Sequence, residues 1–154
     1  MSHSPVAAVG RRRLALVLTT GLVPWVVVPY EIGATFVFSF GLVNPGPTVP
    51  QVETVVAFVF RDTGSLPFRL LAWPTATVLY LLGVASAGLA AIDSEDRRVT
   101  AGLFALAGLD LAYFAVAFSS VRLRVVALPL GVALLWLAAW ASRPNQWRRV
   151  TRDR

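Results

Sequence analysis

The chain has 154 residues, of which 56% are hydrophobic and 14% are charged, with a formal net charge of +6 and no cysteine. A soluble domain of this length carries roughly a quarter of charged residues to cover its surface, so the composition predicts a single domain with much of its surface in lipid. The lack of cysteine excludes disulfides and thiolate metal sites. The single histidine, His3, lacks the partners that a histidine-based metal site requires.

The basic residues are all arginine, and they lie mainly at the ends of apolar runs. One interpretation of their charge is binding to nucleic acid or to anionic lipid. The other is flanking charge that orients membrane helices, and the position of the arginines favours it. We therefore expect the lipid bilayer as a partner and no nucleic acid.

Four apolar segments come close to the roughly 20 residues that a helix needs to cross a hydrocarbon core of about 30 Å. They are residues 14–30, 70–92, 99–119 and 125–142. This pattern predicts an all-α membrane protein, a four-transmembrane-helix bundle that takes in residues 1–154 as one domain. The first segment could instead be a cleaved signal peptide, but Pro24 and Pro29 interrupt it before a weak cleavage site, which favours a retained helix.

The arginines also predict the orientation of the bundle. Ten of them lie on the side that holds both termini, and four lie on the other side. Because an excess of arginine marks the cytoplasmic side, we expect both termini and the basic tail 143–154 in the cytoplasm of a multi-pass cell-membrane protein. Four tryptophans lie near the ends of apolar segments, which is typical of interfacial anchors: Trp25, Trp73, Trp140 and Trp147.

The external loop 31–67, between the first two segments, is long and apolar. Its stretch ATFVFSF (34–40) alternates phenylalanine with smaller residues at the period of a strand. After a cluster of helix breakers, QVETVVAFVF (51–60) is predicted as a short helix with Thr48 as its cap. We expect this loop to lie on the outer membrane surface or to plug the outer mouth of the bundle.

One ionisable residue, Asp110, lies in the middle of the third segment. It is eleven residues past Val99, which at 1.5 Å per residue is about 16 Å and close to mid-bilayer. No arginine lies at that depth, so we expect desolvation to keep the carboxyl protonated, as a hydrogen-bonding acid. The polar residues at matching depth complete a candidate intramembrane polar site: Tyr80, Thr19 and Thr20.

Small residues predict close helix packing beside this acid. Gly83, Ala87 and Ala91 recur at a spacing of four, and Ala107 lies on the same helical face as Asp110. The acid then has two interpretations: a polar clamp between helices, worth roughly 1 kcal/mol, or a proton or cation relay. A lone acid without a second titratable group at its depth makes a poor relay, which favours the clamp.

No catalytic constellation stands out in the sequence. There is no glycine-rich phosphate loop and no serine–histidine pair. The acids of DSEDRR (93–98) could hold a cation, but the segment is more simply a solvated turn in which Asp93 or Ser94 caps the next helix. We therefore predict no enzyme activity, no cofactor and no metal site.

Five segments together resemble a family of small, uncharacterised integral membrane proteins of halophilic archaea. They are LVPWVVV (22–28), FVFSFGLVNPGP (36–47), FRDTGSLPFRLLAWP (60–74), EDRRVTAGLFALAGL (95–109) and LPLGVALLWLAAW (128–140). The resemblance implies an archaeal cell membrane and a four-helix layout in one piece. It implies no catalytic residue, because the members of that family have no assigned activity.

The sequence as a whole favours a non-enzymatic membrane protein that acts as an accessory, assembly or interaction subunit. Its protein partner would contact the external loop 31–67 or the basic tail. The alternative is a small proton- or ion-coupled transporter with Asp110 as the titrating residue. Four helices make a thin wall around a pathway, so this alternative implies a homo-oligomer.

Overall fold

The computed structural model describes residues 5–31, 33–46, 49–61, 67–92, 94–121 and 126–144. These residues form five helices and one four-stranded sheet. The helices are α1 (Pro5–Leu22), α2 (Val55–Arg61), α3 (Ala72–Gly88), α4 (Arg97–Val121) and α5 (Leu130–Ala141). The strands are β1 (Val26–Tyr30), β2 (Gly33–Val37), β3 (Gly41–Asn44) and β4 (Gln51–Thr54), and short 3₁₀ helices, Phe68–Leu71 and Leu89–Ile92, flank α3.

The prediction of an all-α bundle of four transmembrane helices is wrong. Segment 14–30 divides between the end of α1 and strand β1, and the external loop 31–67 holds β2, β3, β4 and α2. Segment 125–142 contains only the twelve residues of α5, a length of about 18 Å. The prolines at 24 and 29 remove backbone donors that a helix needs, and the valine run between them favours a strand.

Two helical segments in the described part of the chain are long and apolar enough to cross a membrane. They are Phe68–Gly88, with 21 residues, and Arg97–Ser120, with 24. They correspond to the predicted segments 70–92 and 99–119. The two helices pack as an antiparallel hairpin, with α5 against α4 and α1 against α5.

The sheet is an antiparallel meander in the order β1-β2-β3-β4. One row of paired residues crosses all four strands: Val26 with Val37, Val37 with Leu42, and Leu42 with Glu53. Gly41 permits β3 to lie close to β4, since a Cβ at that position would be 2.5 Å from the carbonyl oxygen of Glu53. The sequence period indicated β2 correctly, but it gave no separate sign of β1, β3 or β4.

The sheet is joined to the helices through strand β1. The backbone N–H of Val27 donates to the Leu128 carbonyl at 3.0 Å, and the Leu128 N–H donates back at 2.9 Å. The Gly131 N–H, at the start of α5, donates to the carbonyl of Trp25 at 2.8 Å. These bonds occupy backbone groups that the outer edge of β1 would otherwise expose.

Two helix starts have side-chain caps different from those predicted. The Thr54 hydroxyl accepts a hydrogen bond of 3.1 Å from the N–H three residues later, so α2 begins after QVET, which pairs as β4. The Asp96 carboxylate accepts a bond of 2.8 Å from the N–H two residues later, at the start of α4. Ser94 bonds back to a preceding carbonyl, and the other predicted caps, Thr48 and Asp93, lie outside the described residues.

Two tryptophans that were predicted as interfacial anchors lie in the core instead. Trp25 and Trp73 are both 0% exposed. The Trp25 indole donates to the Thr20 carbonyl at 2.7 Å, and the Trp73 indole donates to the Phe38 carbonyl at 2.9 Å. Because each N–H has a backbone acceptor, the large rings are buried without an unpaired polar group.

Candidate functional site

The predicted acid, Asp110, lies at the edge of the buried face of α4. Its neighbour Leu111 is fully buried, Leu109 is 55% exposed, and Asp110 itself is partly buried. The carboxyl makes no hydrogen bond and no ion pair with any residue that the structure describes. The structure therefore gives Asp110 no clamp partner among those residues.

The three predicted partners of Asp110 bond to the backbone of α1. The Tyr80 hydroxyl donates to the carbonyl of Val17 at 2.9 Å and so links α3 to α1. The hydroxyls of Thr19 and Thr20 donate to carbonyls one turn earlier in their own helix, at 2.7 and 2.8 Å. Tyr80, Thr19 and Thr20 thus lie around α1, and the structure does not bring them to Asp110.

The predicted small residues lie partly at the contact between α3 and α4. A Cβ on Gly83 would be 2.7 Å from the Phe104 ring, so the absence of a side chain lets that ring fit. Ala87 and Ala107 are buried. Ala91 falls in the 3₁₀ helix after α3, and its side chain lies outside the described part of the structure.

A buried ion pair, which the sequence analysis did not anticipate, joins α1 to the start of α4. The Arg13 guanidinium donates to both carboxylate oxygens of Glu95, from Nη1 to Oε2 at 2.9 Å and from Nη2 to Oε1. The two side chains are only 9% and 6% exposed. The bidentate arrangement and the burial make this one of the stronger kinds of polar contact in proteins.

Two hydroxyls extend this pair into a network. The Thr100 hydroxyl donates to Oε1 of Glu95 at 3.1 Å, and Ser86 and Thr100 share a hydrogen bond of 2.7 Å. The Arg97 Nε lies 4.0 Å from Oε2 of Glu95. The network draws on α1, α3 and α4, so it fixes the relative positions of three helices at one end of the hairpin.

A sequence signal for this pair existed but was weak. Arg13 shares one helical face with Val17 and Thr20, which are both buried. Glu95 is 82 residues further along the chain, and no local spacing indicates such a partner. For that reason Arg13 was interpreted only as flanking charge, and the segment of Glu95 as a solvated turn.

A cavity of about 300 Å³ lies at the opposite end of the hairpin, under the sheet. Every strand contributes two residues separated by one position, which places them on the same face of the sheet. The cavity has a helical side and a sheet side, and its polar side chains all come from the strands. The helical side of the wall is formed by Phe58, Leu70, Trp73, Phe114 and Phe118. The polar groups are those of Tyr30, Thr35, Asn44, Gln51 and Glu53.

The lining of the cavity is mostly apolar. In the described ranges no group of three or more histidine, aspartate or glutamate side chains could hold a metal ion. The lining offers aromatic and aliphatic surface with four neutral hydrogen-bonding side chains and one carboxylate, that of Glu53, which is the usual composition of a small-molecule pocket.

Residues 1–153 match a family described as a domain of unknown function, DUF8050. No curated protein matches the chain.

Proposed function

From the premise that the chain belongs to the DUF8050 family, we propose that it is a non-enzymatic integral membrane protein. The hairpin of α3 and α4 lies in the bilayer, and the sheet end contacts a partner protein as an accessory or assembly subunit. The resemblance of five segments to membrane proteins of halophilic archaea supports an archaeal cell membrane as its location.

The observation that carries this proposal is the apolar outer surface of the hairpin. Only 39% of the most apolar window of Phe68–Gly88 and 33% of that of Arg97–Ser120 is buried, whereas a core helix of a soluble protein is mostly buried. Large apolar side chains that are more than half exposed project from both helices: Val78, Leu81, Leu82, Leu106, Leu109 and Val116. Exposed apolar side chains in this number on both helices indicate contact with lipid or protein.

The charge distribution supports one orientation of the hairpin. Arg12, Arg97 and Arg98 lie at the end that holds the ion pair between Arg13 and Glu95. By the excess of arginine, we place this end on the cytoplasmic side and the sheet on the outer side.

A second apolar surface supports a protein partner at the sheet end. Five large side chains from this part of the chain are each more than 60% exposed: Val49, Val52, Val56, Phe60 and Phe68. Four of them lie in the described part of the external loop 31–67, and Phe68 lies at the start of the next helical segment. A patch of this kind next to the membrane surface suits a partner that is itself bound to the membrane.

The membrane proposal is tested by extraction and by labelling. Washed membranes should retain the protein in high salt and at alkaline pH, and detergent should release it. Because the chain has no cysteine, Val52→Cys and Arg12→Cys each create a unique thiol. An impermeant maleimide should label Val52→Cys in intact cells and Arg12→Cys only after permeabilisation. Release without detergent, or equal labelling of both variants in intact cells, would contradict the proposal.

The partner proposal is tested by photo-crosslinking in native membranes. A photoreactive residue at position 60, in the sheet-end patch, should give an adduct of one discrete protein mass. The same residue at position 116, on the outer face of α4, should give lipid adducts and serves as the matched control. If position 60 also gives only lipid adducts, the sheet end has no protein partner.

The second candidate function is a proton- or ion-coupled transporter that acts as a homo-oligomer, and the position of Asp110 favours it. The partly buried carboxyl has no partner among the described residues, so a second copy could supply one. In proteoliposomes, Asp110→Asn should abolish flux and Asp110→Glu should preserve it. Tyr113→Phe, at an exposed position on the same helix, is the control. Flux through Asp110→Asn equal to that of wild type would end this candidate.

A further inference from the structure

We propose that the cavity under the sheet binds the hydrocarbon chain of a single-chain amphiphile, with the uncharged polar head group of that amphiphile at its mouth. The ligand is thus of the class of long-chain alcohols and their neutral derivatives. This inference depends on the sheet and on the aromatic ends of the hairpin, and it does not require that the helices cross a membrane.

The first argument is a gradient of polarity along the inner face of the sheet. The row that contains Val37 and Leu42 is apolar across its first three strands and ends at Glu53 on β4. In the next row outward, Val28 pairs with Thr35, and Asn44 pairs with Gln51. A chain that enters tail first would therefore meet apolar surface at the inner row, and its head group would stop at the polar row.

Exposure follows the same direction. Val37, in the inner row, is 2% exposed, and Trp73, on the opposite wall, is fully buried. The side chains of Asn44 and Gln51 are exposed, and Tyr30 is 40% exposed. The cavity thus has a buried, mainly apolar floor around Val37 and Trp73 and an exposed polar mouth, which is the arrangement that orients an amphiphile.

The volume indicates how long the bound chain is. An apolar cavity of about 150 Å³ holds one benzene ring. By that scale, the cavity of about 300 Å³ holds roughly ten to twelve carbon atoms. A flexible chain can also follow the space between the sheet and the rings of Phe114 and Phe118, which a rigid bicyclic ligand of the same volume would not fill.

The groups at the mouth determine the class of the head group. Thr35, Asn44, Gln51 and Tyr30 supply hydroxyls and amides, which both donate and accept hydrogen bonds. Each is neutral, and Glu53, the charged residue among the described lining residues, is a carboxylate with an interaction of its own. The cavity therefore provides hydrogen bonds without the cation that an anionic head group would need. A hydroxyl or an amide head group can donate hydrogen bonds to these side chains and accept hydrogen bonds from them.

The test uses Trp73 as a reporter at the cavity floor. The full chain is held in amphipol, without free detergent, and is titrated with undecanol that carries bromine on its terminal carbon. The heavy atom quenches tryptophan fluorescence at contact. We expect saturable quenching that is lost in Trp73→Phe, and competition by unbrominated alcohols that is strongest near ten to twelve carbons.

Three further variants decide whether the cavity is the binding site. Thr35→Phe fills the middle of the cavity and should weaken binding more than tenfold. Asn44→Leu leaves the floor open but removes a head-group contact, and it should weaken binding roughly three- to tenfold, as for one neutral hydrogen bond. Val116→Phe adds the same kind of apolar bulk on the outer face of α4, where the side chain is 69% exposed, and should change nothing.

The outcomes separate cleanly. Saturable quenching that follows this order of variants supports the inference. The comparison uses Thr35→Phe if its thermal unfolding midpoint stays close to that of wild type. If that midpoint falls, the comparison uses Asn44→Leu instead. Quenching that rises linearly and equally in all variants means partition into the amphipol belt and overturns it. Tighter binding of the brominated carboxylate than of the brominated alcohol overturns the assignment of an uncharged head group.

Discussion

The two ends of the α3–α4 hairpin bury polar groups in different ways. At one end, Arg13 and Glu95 bury opposite charges, and Thr100 completes the network. At the sheet end, Trp25 and Trp73 donate to backbone carbonyls, and a cavity lies beside them. A buried charge is costly unless all its partners are in place, so the charged end depends on the pairing of Arg13 with Glu95. Neutral groups cost less when their surroundings change, and the cavity under the sheet is lined mostly by uncharged side chains.

The largest effect should come from breaking the charged end. Glu95→Ala leaves the Arg13 guanidinium buried with no anion, and the loss of one partner from a buried pair costs about 3–5 kcal/mol. We expect the free energy of unfolding, measured by denaturant titration in detergent, to fall by about that amount. Arg12→Ala, at an exposed position on the same helix, is the control and should change it by less than about 0.5 kcal/mol. Equal effects of the two variants would show that the pair contributes nothing beyond surface charge.

The next effect tests whether the sheet end is tightly packed away from its cavity. A Cβ on Gly131 would lie 2.8 Å from both Cα and Cβ of Trp25, so Gly131→Ala forces backbone to move and should cost about 1–3 kcal/mol. Gly102→Ala, at an open position of α4 with nothing within 4 Å, should instead stabilise the helix by about 0.5–1 kcal/mol. If both variants behave alike, the cavity is part of a generally loose end and not a defined site.

The sequence predicted the hairpin well because its two helices are long, apolar and continuous. The predicted segments 70–92 and 99–119 differ from α3 and α4 by a few residues at each end. The valines of β1 were assigned to a helix, since a short apolar run has the same hydropathy in either structure. The prolines at 24 and 29 were interpreted only as evidence against a signal peptide, and not as evidence that the helix ends before them.

Neither the ion pair nor the cavity could be predicted, because each depends on contacts between distant parts of the chain. The alternation that places Thr35 and Val37 on one face is visible in the sequence, but the pairing with β3 and β4 that makes a wall is not. The partners expected for Asp110 were chosen by depth in a bilayer. Depth does not tell which way a side chain points around the helix axis. It therefore could not show that Tyr80 points toward Val17.

A smaller effect concerns the link between the two ends. The Tyr80 hydroxyl donates to the Val17 carbonyl at 2.9 Å, inside the core, and Tyr80→Phe removes that bond while keeping the ring that packs on Trp25. The loss of one neutral hydrogen bond should lower the free energy of unfolding by about 1 kcal/mol. Tyr113→Phe, where the side chain is 52% exposed, should leave it unchanged. An effect as large as that of Glu95→Ala would mean that the core contact, and not the charged end, holds α1 in place.

The smallest effect should be local to the sheet end. The Thr54 hydroxyl caps α2 by accepting the Ala57 N–H at 3.1 Å, and Thr54→Ala removes an acceptor worth about 0.5–2 kcal/mol to a helix end. Because α2 has only seven residues and this cap is exposed, we expect faster amide exchange in α2 and almost no change in α3 or α4. Thr54→Ser keeps the acceptor and should restore the slower exchange. Amide exchange that also rises at Thr100 would show that the two ends of the hairpin unfold together. The two ends would then differ in the polar groups they bury but not in their stability.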